Sequence, residues 1–196
     1  MTDLIAPLLR LAGIALLLSA CSKAPPAPEP SPAPVACSVL EGQPNPAALQ
    51  AARDLQAQIQ QGPLYQTAAA HSSLTACVWR FPEGGALAQE YSFRNGGKLQ
   101  VQRDAGIEYS NQSLSLAEPP AEPPETLLKQ AERASFGEQG CGIDWQAPPE
   151  QAQPSTSAEA GTASESVFRG KSCNCQARVR KNAAGQAVGL MLRSAC

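Results

Sequence analysis

Cysteine is the residue type in this chain most able to do chemistry, and its spacing decides which chemistry. Six cysteines lie beyond position 36: Cys37, Cys77, Cys141, Cys173, Cys175 and Cys196. Cys173-Asn174-Cys175 could offer two thiolates to a soft metal. Zinc sites, however, space their cysteines by two to four residues, and no histidine or second cysteine pair completes a set here. An even count in an oxidising compartment fits three disulfides, for which sequence alone allows 15 pairings. A bond within Cys-x-Cys would close a strained, very small ring and is discounted. Other reactive groups are sparse. A hydrolytic triad needs a base near its nucleophile, and the one histidine, His71, sits in a small-residue stretch. Glu90, Asp104 and Glu108 could supply a carboxylate pair, but they fall on polar strand faces or at turns, where carboxylates are ordinarily solvated. Gly84-Gly85 and Gly96-Gly97 belong to hairpin turns, not a phosphate loop. Trp79 and Trp145 could stack on sugar or peptide, although large inward aromatics more often fill a core. The expectation is therefore no catalytic residue, no metal and no cofactor.

The seventh cysteine has a different setting. Residues 11–18 are an apolar run too short to span a bilayer, preceded by Arg10 and closed by Leu18-Ser19-Ala20-Cys21. This resembles the lipobox of bacterial lipoproteins. The resemblance implies a signal peptide over 1–20, cleavage between Ala20 and Cys21, a diacylglycerol on the Cys21 sulfur, and an acyl chain such as palmitate on the new amine. Asp3 departs from the pattern by offsetting the charge of Arg10. Ser22, where an inner-membrane lipoprotein carries Asp, implies an outer-membrane address on the periplasmic side. Two or three acyl chains anchor stably where one would be marginal.

After the anchor, 21–36 is a Pro/Ala-rich tether, extended and semi-rigid, with a reach of roughly 40 Å. A second low-complexity stretch, 146–165, has no large apolar residue and is read as a disordered loop. Roughly 140 residues remain, enough for one modest core or two small modules. Charge is uneven along the chain. Arg169, Lys171, Arg178, Arg180, Lys181 and Arg193 lie beyond position 165 with no acidic residue among them, while the whole chain carries −2. A basic face for an anionic partner, such as an acidic periplasmic protein or lipid A phosphate, is one reading, with Arg178, Arg180 and Arg193 as candidate contacts. A solvated strand face that offsets the acidic remainder is the other. No nucleic-acid partner is expected.

These residues must be held by elements that the pattern makes legible. Asn45-Pro46 opens a helix, Leu49, Ala52, Leu55 and Ile59 give it one apolar stripe, and Gly62-Pro63 close it. Strands follow over 74–81, 86–94 and 98–103, with odd positions apolar and turns at Glu83-Gly84-Gly85 and Asn95-Gly96-Gly97. A three-residue turn at 95–97 would pair Phe93 with Leu99. A fourth strand is expected around 107–109. A second helix is expected over 124–135, with Leu127, Leu128, Ala131 and Ala134 facing the core. The chain then ends in a hairpin, 166–181 and 187–196, which sets Val179 opposite Leu190, Ala177 opposite Leu192 and Cys173 opposite Cys196. Cys196 accordingly pairs with Cys173 or Cys175, leaving the other for Cys141 or Cys77.

The fold class expected is α+β, two short helix–antiparallel-sheet modules stapled by disulfides, over 37–196 with submodules 37–117 and 122–196. That element order is similar to the beta-lactamase inhibitor protein and other small periplasmic binders. The function expected is a protein-binding module, an inhibitor, an immunity protein or an envelope accessory. A carboxylate-based periplasmic hydrolase and a structural envelope lipoprotein with no discrete partner are the alternatives.

Overall fold

A computed structural model describes residues 35–83, 85–104, 110–152, 161–171 and 174–194. The expected signal segment and Cys21 lie outside the described residues, as do Gly84, Glu108, Cys173 and Cys196. Helix α1 (Pro46–Gln61) begins where expected. Asn45 Oδ1 accepts from the backbone N–H of Ala48 at 2.8 Å, and Pro46 takes the first turn, where a missing N–H costs nothing. Ala52, Leu55 and Ile59 form its buried stripe, with Leu49 partly buried beside them. Gly62 and Pro63 end this helix, but Pro63 also opens a second one, α2 (Pro63–His71), where the sequence predicts only a stop. Proline suits a first helical turn as well as it breaks an interior, so one residue serves both purposes.

The strands are β1 (Ser38–Glu41), β2 (Leu74–Arg80), β3 (Leu87–Phe93), β4 (Lys98–Arg103), β5 (Ser110–Ser115), β6 (Glu150–Ala152), β7 (Ser164–Arg169), β8 (Gln176–Lys181) and β9 (Ala187–Ser194); helix α3 (Pro124–Phe136) follows β5. Among the described residues all nine strands join one sheet in the order β1-β2-β3-β4-β5-β9-β8-β7-β6. The pairing of β1 with β2 is parallel and the others are antiparallel, so the fold is α+β with a mixed sheet. Strands β5 and β9 carry the sheet from the first meander into the second. There Leu114 faces Leu190, both fully buried. The three helices among the described residues lie on one face: α2 packs on β4 and α3, and α3 packs on β9 and β8.

Several sequence expectations need correction. Tyr91, not Phe93, is opposite Leu99, a shift of two positions. An even shift preserves which face each side chain takes, so Tyr91, Phe93, Leu99 and Val101 still share the core. The fourth strand runs over Ser110–Ser115; the expected 107–109 segment lies outside the described residues. The stretch 146–165, read as a disordered loop, holds β6 and the first residues of β7, because the edge of β7 supplies backbone partners that need no apolar side chains. The expected long strand 166–181 is two strands, β7 and β8, folded against each other with Arg169 opposite Gln176. Gly170 makes the corner possible: a Cβ there would come 2.7 Å from the Cys175 Cβ. Asn174 takes φ 45°, a left-handed conformation that asparagine tolerates better than most residues. Finally, Ala134 is exposed, not core, because it borders a cleft instead of a packed neighbour.

A buried polar relay fixes α1 to the sheet. Gln89, 1% exposed, donates through Nε2 to the Ala52 carbonyl at 2.7 Å and accepts the Tyr91 hydroxyl at 2.5 Å. Burial, with a smaller contribution from neighbouring Tyr65, holds the Tyr91 phenol well above its ordinary range. The unfolded phenol ionises near 10 and the folded one does not, so the unfolded state loses a proton first. Stability is therefore expected to be unaffected by Tyr91 below about pH 10 and to fall as pH rises beyond it. In an ultraviolet titration Tyr91 should ionise only together with unfolding; a phenolate signal for it in the folded protein would overturn this account.

Candidate functional site

The sheet face opposite the helices is where most of the basic residues singled out in the sequence fall. Strand alternation and register place Arg80, Glu90, Lys98, Gln100, Gln102, Asn111, Ser113, Met191, Arg193, Arg178 and Arg180 on it. On strands β2–β5 and β7–β9, among the described residues, this face carries six cations, Arg80, Lys98, Arg169, Arg178, Arg180 and Arg193, against the carboxylates of Glu90 and Glu165. At the β6 edge Glu150 pairs with Arg169 at 2.9 Å. Lys98, Gln100, Gln102 and Arg193 are exposed. A shallow hollow of about 210 Å³ lies at the centre of the face, bordered by Arg80, Glu90, Gln100, Gln102, Asn111 and Ser113. The Asn111 side-chain oxygen is buried at its rim with no hydrogen-bond partner among the described residues.

The structure does bring Arg178, Arg180 and Arg193 to one face, but it gives them different duties. Arg178 donates to Glu165 Oε2 at 3.2 Å and to Gln176 Oε1 at 2.9 Å, so its charge is largely neutralised within the sheet. Arg180 is buried and reaches Ser113 Oγ across β9 at 3.4 Å. It can do so because the residue between is Gly189, where a Cβ would come 2.5 Å from Arg180 Nε. A glycine inside a strand signals such a close approach, and it is the sequence cue for this contact. Arg193, opposite both Gln176 and Asn111, remains at the surface.

The other candidates are scattered. His71 is the exposed last residue of α2. The Glu90 carboxylate accepts from Gln100 Nε2 at 3.2 Å, whereas Asp104 accepts from Gln102 Nε2 at 3.3 Å. Trp79 is buried in β2, and Trp145 packs 5.2 Å from the Phe168 ring. Among the described residues two disulfides are formed: Cys37–Cys77 ties the start of β1 to β2, and Cys141–Cys175 ties the loop after α3 to the corner before β8. Among the described residues no cluster of three metal-ligating side chains occurs, and no helix is long and apolar enough to cross a membrane.

The class these elements define is an α+β domain with one sheet face covered by helices and the other presenting polar side chains. In comparisons with known proteins, no family model, no curated protein and no solved structure matches the chain.

Proposed function

We propose that this chain is an outer-membrane lipoprotein, held on the periplasmic side through lipidated Cys21, whose uncovered sheet face binds a protein partner with an anionic surface. The observation that carries the reading is that face itself, a rigid array of exposed amides and cations fixed by cross-strand register. Such a surface positions hydrogen bonds without chemistry of its own, which suits an inhibitor, an immunity protein or an envelope accessory. The 21–36 tether would let the domain reach its partner away from the lipid. The two helix–sheet halves are read as tandem modules sharing one sheet. Cys173 and Cys196 are read as the third disulfide, since the other four cysteines are already paired.

A photo-cross-linking residue at Gln100 or Gln102 in the full-length protein is expected to capture one dominant envelope protein. The double substitution Lys98→Glu with Arg193→Glu should abolish that capture and leave the circular-dichroism spectrum of the folded protein unchanged. Arg178 and Arg180 are poor test positions, because reversing them also strands Glu165 or opens the β8–β9 packing. Equal capture from the same cross-linker at Ala57, exposed on α1, or capture indifferent to the charge reversal, would sink the proposal.

A further inference from the structure

The helix side of the sheet is not fully covered. A cleft of about 890 Å³ opens between the α1–α2 pair and α3, floored by β4, β5 and β9. That volume lies within the range of small-molecule sites. The floor changes character along its length. At one end Arg103, Ser110 and Ser194 stand side by side, Arg103 opposite Ser110 and Ser110 opposite Ser194. All three line the cleft. Deeper in, the floor is Val101 beside Gln112 and then Leu99, under walls that include Leu55, Gln58 and Ile59 of α1 and Ser135 and Phe136 of α3.

Two further observations point to an occupant. Among the described residues lining the cleft, Arg103 alone carries a formal charge, and no carboxylate offsets it there. Ser194 is 1% exposed, and its Oγ is buried with no hydrogen-bond partner among the described residues. A buried hydroxyl left unpaired is costly, and an acceptor bound beside it removes that cost. The floor itself is well fixed, since Gln112 Nε2 donates to Ser135 Oγ of α3 at 2.7 Å.

We propose that this cleft binds one single-chain anionic amphiphile, its headgroup held by Arg103, Ser110 and Ser194 and its chain lying on Val101 and Leu99 between α1 and α3. A carboxylate or a phosphate monoester satisfies the same donors. The apolar stripe of Leu55, Ile59, Leu99, Val101 and Phe136, which runs beside the polar side chains of Gln112 and Ser135, gives a hydrocarbon tail a bed that a bare anion would leave uncovered. The site lies on the sheet face opposite the proposed protein interface and stands independently of it.

The test uses the full-length protein in phosphatidylcholine vesicles with a diazirine-bearing fatty acid as probe, the labelled peptides being mapped by mass spectrometry. Saturable label is expected in peptides containing residues 55–59 and 134–136. Oleate should compete and methyl oleate should not. Competition by 1-oleoyl lysophosphatidate as well would assign the site to either anion, and its failure would assign it to carboxylates. Arg103→Gln should weaken labelling at least about tenfold, the loss expected for one charge-assisted contact, with circular dichroism unchanged because Arg103 is exposed. Ala134→Trp, which fills the cleft from an exposed position, should abolish it. Label spread without saturation, equal competition by the methyl ester, or no effect of Arg103→Gln would each overturn the proposal.

Discussion

Reduction of the disulfides is expected to lower the melting temperature of this protein by roughly 15–30 °C. Cys37–Cys77 closes a loop with a sequence separation of 40, and Cys141–Cys175 one of 34. Loops of this size constrain the unfolded chain by about 4 kcal/mol each in the chain-entropy description. The pair is therefore comparable to the whole stability of an ordinary domain, about 5–15 kcal/mol. The domain depends on them because its aromatic content is only 5% and long stretches of the chain add little to the core. Thermal unfolding followed by circular dichroism, with and without reductant, measures the effect. Separate double substitutions, Cys37→Ser with Cys77→Ser and Cys141→Ser with Cys175→Ser, should each give roughly half of it. A melting temperature unmoved by reductant would show that apolar packing alone holds the fold.

Glu132→Ala is expected to cost about 2–4 kcal/mol, comparable to the loss of a buried core side chain. Glu132 lies on α3 and is 4% exposed, an unusual place for a carboxylate. Its Oε1 accepts from the backbone N–H groups of Cys141 at 2.9 Å and Ile143 at 3.2 Å, and its Oε2 from Trp145 Nε1 at 2.6 Å. The side chain thus holds the loop that carries one half of a disulfide. Gly140, at φ 62°, lets that loop close in, for a Cβ there would come 2.5 Å from Glu132 Oε1. Asp144 tightens the same loop: the backbone N–H groups of Gln146 and Ala147 hold its carboxyl below the usual range. Alanine at 132 would take the carboxylate acceptor away from two buried backbone donors and from the half-buried Trp145 indole N–H. Glutamine keeps the volume and one acceptor but turns an NH2 toward a donor, so its effect should be intermediate. Denaturant titration followed by tryptophan fluorescence, to which Trp145 contributes, reads both stability and the loss of the indole contact. A Glu132→Ala protein of unchanged midpoint would mean that water replaces the carboxylate without penalty.

Much of the fold was legible because it rests on short-range rules. The α1 stripe follows from a helical period and a capped start, and the alternation of β2, β3 and β4 from a period of two. The final hairpin was legible down to its partners: Val179 faces Leu190 and Ala177 faces Leu192. Apolar parity fixed that register; the turn itself differs from the expected four-residue loop pairing Asn182 with Ala187, since Lys181 is opposite Ala187 and a bulge between Arg180 and Lys181 restores the count. The face shared by Arg178, Arg180 and Arg193 was legible for the same reason.

What the sequence determined by itself is local: where most helices and strands start, and which side chains share a face. The tertiary structure alone decided which distant elements meet. Strand β5, Ser-Asn-Gln-Ser-Leu-Ser, offers one large apolar residue and no period; it is a strand because β4 and β9 supply ladders on both sides. Gly170 is a turn signal by residue type, yet only the packing of Cys175 against it makes two strands of one expected strand. Glu132 reads as an ordinary polar position on an amphipathic helix until the loop at 140–145 folds back over it. The cleft is a space between helices, and no residue encodes it singly. Contacts such as Leu114 with Leu190 join residues far apart in the chain, and their pairing is chosen by the burial of the whole sheet, which no short window of sequence contains.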